Sequence, residues 1–338
     1  MKIIKKVIDY IKSNFFYLLF IFILLFISFV KLPYNVQMPG GVINLNNRVK
    51  IDDKKVPIKG SFNMSYVSVV QGSIPYIIGG LIIPDWDVEK EEESLLENET
   101  IDDANKRNKL FLEQSKNAAV IAALNEAKIG YKKKNSKNNI LYIYKEADTS
   151  LEVGDNIIEC DNVEIKDVRD IVKIIDNKKI GDKINLKVLR NKKKVDTYAK
   201  VIEMNKEKKL GIVSLTTFDI DSGIKVSMDT TASESGSSGG LMMSLMIYSG
   251  LVDKDYTNGK KVAGTGTIDE DGKVGSIGGI KYKIIGASKE KVDIFFVPSD
   301  NYEDALKVMK EKNYKYKLVR VDSLKEAIKY LEGDNNEK

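Results

Sequence analysis

Residues 230–240, TTASESGSSGG, are the most polar and glycine-rich stretch in the second half of the chain, and they run directly into the apolar LMMSLMIY of residues 241–248. An apolar run of that length suits a buried helix. The first backbone N–H groups of a helix have no acceptor within it, so this junction places free donors where the loop ends. Such donors bind anions. A serine held at the junction can therefore attack a carbonyl whose developing oxyanion meets hydrogen-bond donors already in position.

Composition restricts what could activate that serine. The 338 residues include no histidine and a single cysteine, Cys160, which excludes a Ser-His-Asp triad, a Cys-His pair, a His-ligated zinc and an internal disulfide. Gly236-Ser237-Ser238-Gly239-Gly240 satisfies the G-x-S-x-G expression of α/β-hydrolases, but that reading needs the missing histidine. Another base is required. At 43% hydrophobic and 30% charged the chain is globular rather than disordered, with a length that suggests two folded units. Lys and Arg number 54 against 49 Asp and Glu, and this small, dispersed excess gives no reason to expect nucleic acid. No metal and no cofactor is expected.

The base is sought in a second stretch. Ala263-Gly264-Thr265-Gly266-Thr267-Ile268 is followed by Gly275-Ser276-Ile277-Gly278-Gly279-Ile280-Lys281-Tyr282-Lys283 and the apolar Ile284-Ile285-Gly286-Ala287, which puts Lys283 on the opening turn of another helix behind a Gly-Gly bend. Lysine can replace histidine once burial and bonds to hydroxyls lower its pKa from about 10.4 by roughly three units. A buried lysine beside a serine is the nucleophile and base of Ser-Lys acyl transfer. Lys281 is the rival base, but two residues apart at a helix start the two side chains diverge, so only one can reach Ser238.

The two stretches together are similar to the proteolytic domain of Lon proteases, with its (D/G)-G-P-S-A-G motif at the nucleophile and its T-G-x-(I/L) and P-I-G-G-(L/I/V)-K-x-K motifs at the base. The resemblance implies Ser238 as nucleophile, Lys283 as base and Thr265 as the threonine that orients the lysine, with Gly236, Ser237 and Gly239 supporting the oxyanion. Ser237 stands where the family has Pro, Gly239 where it has Ala, and Ser235 where the ATP-dependent enzymes have Asp. The extra hydroxyl leaves Ser237 as an alternative attacker. Residues 296–302 and 321–327 resemble the closing strand-and-helix segments of the same domain.

Upstream, residues 139–203 read as strand, Gly154-Asp155 turn, strand, a helix capped by Asp167 and ended by Gly181-Asp182, and two strands joined by an Arg190-Asn191 turn. The run from Leu151 to Asp161 resembles the L-x-x-GD-x-I-x-x-(V/C)-(D/N) signature of PDZ domains, which hold peptides as an added strand. The loop that would take a terminal carboxylate has no clear counterpart; Gly130-Tyr131-Lys132-Lys133 is a poor stand-in. Residues 60–70 read as a strand. The acidic residues 87–99 read as a solvated helix face, and Phe111, Ser115, Ala118 and Ala122 as one face of an amphipathic helix.

At the N-terminus, residues 15–30 (FFYLLFIFILLFISFV) carry no charge and are extended by Lys31, which can snorkel, and Leu32, so a membrane anchor over 15–32 is expected. Lys2, Lys5, Lys6 and Lys12 precede it and argue for a cytoplasmic N-terminus, which puts the body outside. The expected fold is α+β: a cytoplasmic segment 1–14, a transmembrane helix 15–32, a β region with an acidic amphipathic helix 33–127, a PDZ-like β-rich domain 128–205 and a Lon-type α/β proteolytic domain 206–334. Nearly the whole chain resembles bacterial membrane-anchored PDZ-Lon-like serine proteases. That resemblance implies an anchored endopeptidase at the cell membrane, with protein or peptide substrates, lipid around the anchor, and assembly into a homo-oligomer as Lon-type domains commonly do. G-x-x-x-x-G-K-(S/T) does not occur, so no ATP-driven unfolding is expected of these residues. The rival reading is a non-catalytic tethered scaffold that binds peptide tails.

Overall fold

The computed structural model describes residues 2–333, and the chain divides into two compact units, Met1–Pro39 with Val67–Ser94 and Gly40–Tyr66 with Leu95–Lys338. In the first unit the charge-free segment forms the helix Phe15–Phe29, none of whose residues is buried, preceded by the helix Lys2–Ser13. No single helix among the described residues is long and apolar enough to cross a membrane; Ile3–Ser13 and Phe15–Phe29, bent by 76°, pass that test only together. Helical backbone ends at Phe29, and Lys31 and Leu32 already belong to the strand Lys31–Asn44. That strand pairs antiparallel with Asp87–Lys90 (Tyr34↔Lys90 to Gln37↔Asp87).

The acidic run is therefore not a helix face. Asp87–Lys90 is a strand in which Glu89 accepts a bond from Gln37 Nε2 (2.6 Å), and Glu91–Ser94 is a single 3₁₀ turn. Helix begins only at Ile101, where the Thr100 and Asp103 side chains each satisfy the other's backbone N–H. The resulting helix, Ile101–Glu126, buries Ser115, Ala118 and Ala122 along one face.

In the second unit, Lys317–Val321, Ile294–Pro298, Lys261–Gly264 and the start of the strand Ser61–Ser73, paired from Ser61 to Met64, lie side by side and parallel. All five residues of Ile294–Pro298 are buried, as expected of a parallel strand covered on both faces. Alternation assigns the faces. Val262, Ile294 and Phe296 join Met242, Leu245 and Ala119 in one core, while Ala263, Phe295 and Val297 join Ile280, Ile284 and Ala305 in another. The helix Gly240–Leu251 thus lies in the first core against Ile101–Glu126, and the helix Ile280–Lys289 in the second beside Ser299–Glu311.

A separate antiparallel sheet in this unit runs in the order Lys193–Lys200, Lys183–Arg190, Asn156–Cys160, Lys132–Ile143, Ile212–Asp221. Its core packs the helix Val168–Asp176 through Ile171 and Ile175 onto Ile140, Ile157 and Leu186. Asp167 and Asp170 form the cap of that helix, which ends at Asn177, before Gly181-Asp182. The hairpin turn falls one residue later than the Arg190-Asn191 reading. Arg190 pairs with Lys193, leaving Asn191 and Lys192 at positive φ (49° and 64°) as the tight hairpin turn. Arg190 is held in the strand by two bonds to Asp155 (2.8 and 2.7 Å). Ile212–Asp221 pairs along Lys132–Ile143, so the chain closes that sheet edge itself, and Lys132 and Lys133 are strand residues opposite Asp221 and Ile220.

Candidate active site

The loop ahead of the helix Gly240–Leu251 is shaped by its glycines and tied down from three sides. Gly236 adopts φ +85°, a conformation side chains disfavour, and its N–H donates to the Asn108 carbonyl (2.8 Å) on the long helix. From that helix Ser115 Oγ donates to the Ser237 carbonyl (3.0 Å). Farther back in the loop, Arg48 Nη1 holds Glu234 Oε1 at 2.5 Å. A methyl on Gly239 would meet the flexible end of Met64, at 2.8 Å from Sδ.

Thr265 follows the strand Lys261–Gly264 and is fully buried, its N–H donating to the Phe296 carbonyl (3.0 Å) on the neighbouring strand. Its hydroxyl donates to the Ser238 carbonyl (3.1 Å), which also accepts from Gly266 N (2.8 Å). Lys283 enters from the other core. Gly279, at φ +68°, starts its helix, and Asn301 fixes the bend before it with two bonds to the backbone of Ile277 (2.9 and 3.0 Å).

Lys283 is 3% exposed, with Nζ 2.6 Å from Ser238 Oγ and 2.9 Å from Thr265 Oγ1. Burial alone, with no carboxylate partner to oppose it, pulls the amine from 10.5 down to about 7. An amine in that range exists in both protonation states near neutrality, as a base must. The Thr265 hydrogen is directed at the Ser238 carbonyl, so Thr265 meets Lys283 with a lone pair and takes one amine N–H. That leaves the lone pair of the neutral amine for the Ser238 hydroxyl proton.

The carbonyls of Ser237 and Ser238 are both occupied, the first by Ser115 Oγ and Gly240 N (3.3 Å), the second by Gly266 N and Thr265 Oγ1. Within a peptide unit N–H and C=O point in opposite directions. The amides of Ser238 and Gly239 consequently face away from those partners, and neither has an acceptor among the described residues. Two such donors beside a serine hydroxyl form the arrangement that an oxyanion requires.

Of the residues singled out in the sequence, the fold brings Ser238, Lys283 and Thr265 into mutual contact, with Gly236 and Gly239 in the same turn. The Ser237 hydroxyl makes no bond among the described residues, and Lys281 points elsewhere, its Nζ 5.4 Å from the centre of the Tyr282 ring. Asn108, Asn301, Arg48 and Glu234 were not anticipated. Ser115 was read only as part of a helical periodicity; its hydroxyl on a face otherwise made of Phe and Ala was the available signal. A cavity of about 490 Å³ opens beside the loop between Lys106, Glu113, Glu152, Arg190 and Thr231, and Ser238 is not in its wall. No group of acidic or cysteine side chains that could hold a metal ion occurs among the described residues.

A family model of the Lon protease (S16) C-terminal proteolytic domain matches residues 192–332, and one of the PDZ domain matches residues 126–201. The Lon protease of Campylobacter jejuni is 35% identical over 103 residues, 30% of this chain and 13% of that protein. The Lon protease of Metamycoplasma arthritidis is 35% identical over 96 residues, 28% of this chain and 11% of that protein. The similarity thus spans a small part of the curated relatives' length. Among solved structures, the PDZ domain of the SdrC-like protein Lin2157 of Listeria innocua covers 23% of this chain and 92% of its own, at 23% identity and a TM-score of 0.22. That of the SdrC-like protein Lmo2051 of Listeria monocytogenes covers 25% and 93%, at 20% identity and a TM-score of 0.23. With an antiparallel module at the PDZ match and the Ser238 and Lys283 loops within the proteolytic match, this chain joins a PDZ domain to a Lon-type proteolytic domain.

Proposed function

We propose that the chain is an endopeptidase of the Ser-Lys type that works without ATP on flexible, unfolded or membrane-proximal protein segments outside the cytoplasm. The observation that carries this reading is the 2.6 Å separation of Lys283 Nζ and Ser238 Oγ in a site that buries the amine. Lys283, neutral, takes the Ser238 proton as Oγ attacks the peptide carbonyl. The amides of Ser238 and Gly239 receive the oxyanion, and the protonated amine returns its proton to the leaving nitrogen. Lys283 then activates water against the acyl-enzyme. Thr265 keeps the amine aimed at Ser238 throughout.

Substrate choice follows from the lack of a nucleotide-binding G-x-x-x-x-G-K-(S/T) in these residues: peptide that needs no unfolding is preferred. An active-site-directed fluorophosphonate, applied to the full chain without nucleotide, is expected to modify Ser238 alone and to stop cleavage of an unfolded protein. A chain that neither labels at Ser238 nor cleaves is a binding scaffold instead.

The charge-free residues 15–30 and the lysines before them support a single-pass anchor with the N-terminus in the cytoplasm. The full chain in phosphatidylcholine vesicles should resist extraction by alkaline carbonate, and deletion of residues 2–30 should release it. Release of both forms alike would remove the anchor from the proposal.

A further inference from the structure

The long helix Ile101–Glu126 reaches the nucleophile loop through Ser115, and that contact has a specific geometry. Ser115 is 3% exposed, and its hydroxyl donates to the Ser237 carbonyl at 3.0 Å across 122 positions of sequence. This carbonyl belongs to the peptide unit whose other end is the Ser238 N–H. The second donor to it, Gly240 N, is longer at 3.3 Å. We propose that Ser115 is a positioning residue for peptide hydrolysis: by holding the Ser237 carbonyl from behind, it aims the Ser238 amide at the oxyanion.

The next peptide unit is held in the same sense by different groups, since Gly266 N and Thr265 Oγ1 occupy the Ser238 carbonyl and leave the Gly239 amide free. The two donors thus depend on separate supports, one of them Ser115. Space at this junction is already filled. A methyl on Gly240 would come within 3.0 Å of Ser115 Oγ and of the Ile268 backbone nitrogen, so the loop cannot be brought closer to compensate for a lost bond. A glycine-flanked turn without the shorter of the two bonds to its Ser237 carbonyl gains freedom to rotate that peptide plane, and an oxyanion donor is worth about 10² to 10³ in kcat when lost altogether.

The inference rests on the Ser238 and Lys283 mechanism, and its test separates the two. Ser115→Ala sits well in a helix already rich in alanine, so its fold is expected to survive. Steady-state cleavage of an unfolded protein by the full chain should show kcat lowered about 10- to 100-fold, with KM within about twofold of wild type. The midpoint of the pH profile should stay in place, because Lys283 is untouched. Ser115→Cys discriminates further: a thiol fills the hydroxyl's space and somewhat more but is a weak donor, so this variant should behave like Ser115→Ala. If Ser115 merely filled space, Cys would behave like Ser. Wild-type kcat in Ser115→Ala, or wild-type kcat in Ser115→Cys, overturns the proposal alone. Turnover retained by Ser238→Ala overturns it together with the mechanism beneath it.

Discussion

Ser238→Ala and Lys283→Arg should each lose about 10⁴-fold or more in kcat towards an unfolded protein, while circular dichroism shows the fold retained; the arginine variant, which cannot shed its buried charge, should also unfold more readily than the native chain. The arginine variant is the more telling. It keeps a nitrogen base of similar reach, but guanidinium cannot give up its proton in this pH range, so it cannot accept one from Ser238. In the proposed mechanism the active form is the neutral amine, and its pKa is brought down to about 7 by burial. Activity of the free enzyme should therefore rise as pH increases through about 7 and level off above it. A profile that instead falls through 7 on the alkaline side would mean that the protonated lysine acts, and would remove Lys283 as the base.

Lys283→Met is expected to be inactive and more stable than the native chain. The lysine titrates at about 7 when folded, against 10.5 as its ordinary value. Between those pH values the unfolded chain binds a proton that the folded chain does not, so stability rises with pH across that window. Below pH 7 the penalty is at full size, about 5 kcal/mol at 1.36 kcal/mol per unit. Above 10.5 it vanishes. Methionine removes the penalty and forfeits bonds to Ser238 and Thr265 worth about 1 kcal/mol each, leaving a net gain of about 2 to 4 kcal/mol at pH 6. Urea unfolding at pH 6, 7, 8 and 9 should show the native chain closing that gap as pH rises. Parallel stabilities across the series would show that burial of this amine does not cost the fold what its position implies. A base that destabilises its own protein is the expected signature of a functional constraint.

How far the chain could be read without coordinates depended on how local each feature is. Helix starts at Asp167 and Gly279 follow from side chains and glycines within a few residues, and so were legible. The strand read at residues 60–70 was legible in the same way, and Ser61–Ser73 is one. The acidic stretch was misread because net charge does not separate a helix face from an edge strand; Val88 and the partner strand made that choice. The Arg190 turn slipped by one residue because Arg190 is recruited by Asp155, 35 positions away. Nothing in residues 206–221 announced that Ile212–Asp221 would close the edge of the antiparallel sheet, since strand pairing is settled by the partner.

From the order of residues alone came the exclusion of histidine and cysteine chemistry, the two glycine-rich loops, and lysine as the remaining base. Folding decided the rest: that groups 45 positions apart meet at 2.6 Å, that Thr265 stands between them, and that a serine from the long helix supports the loop from behind. Residue identity sets which proton transfers are open to a chain. Whether an amine gives up its charge depends on how much water the packed structure takes from it, and only residues brought together from distant parts of the chain can do that.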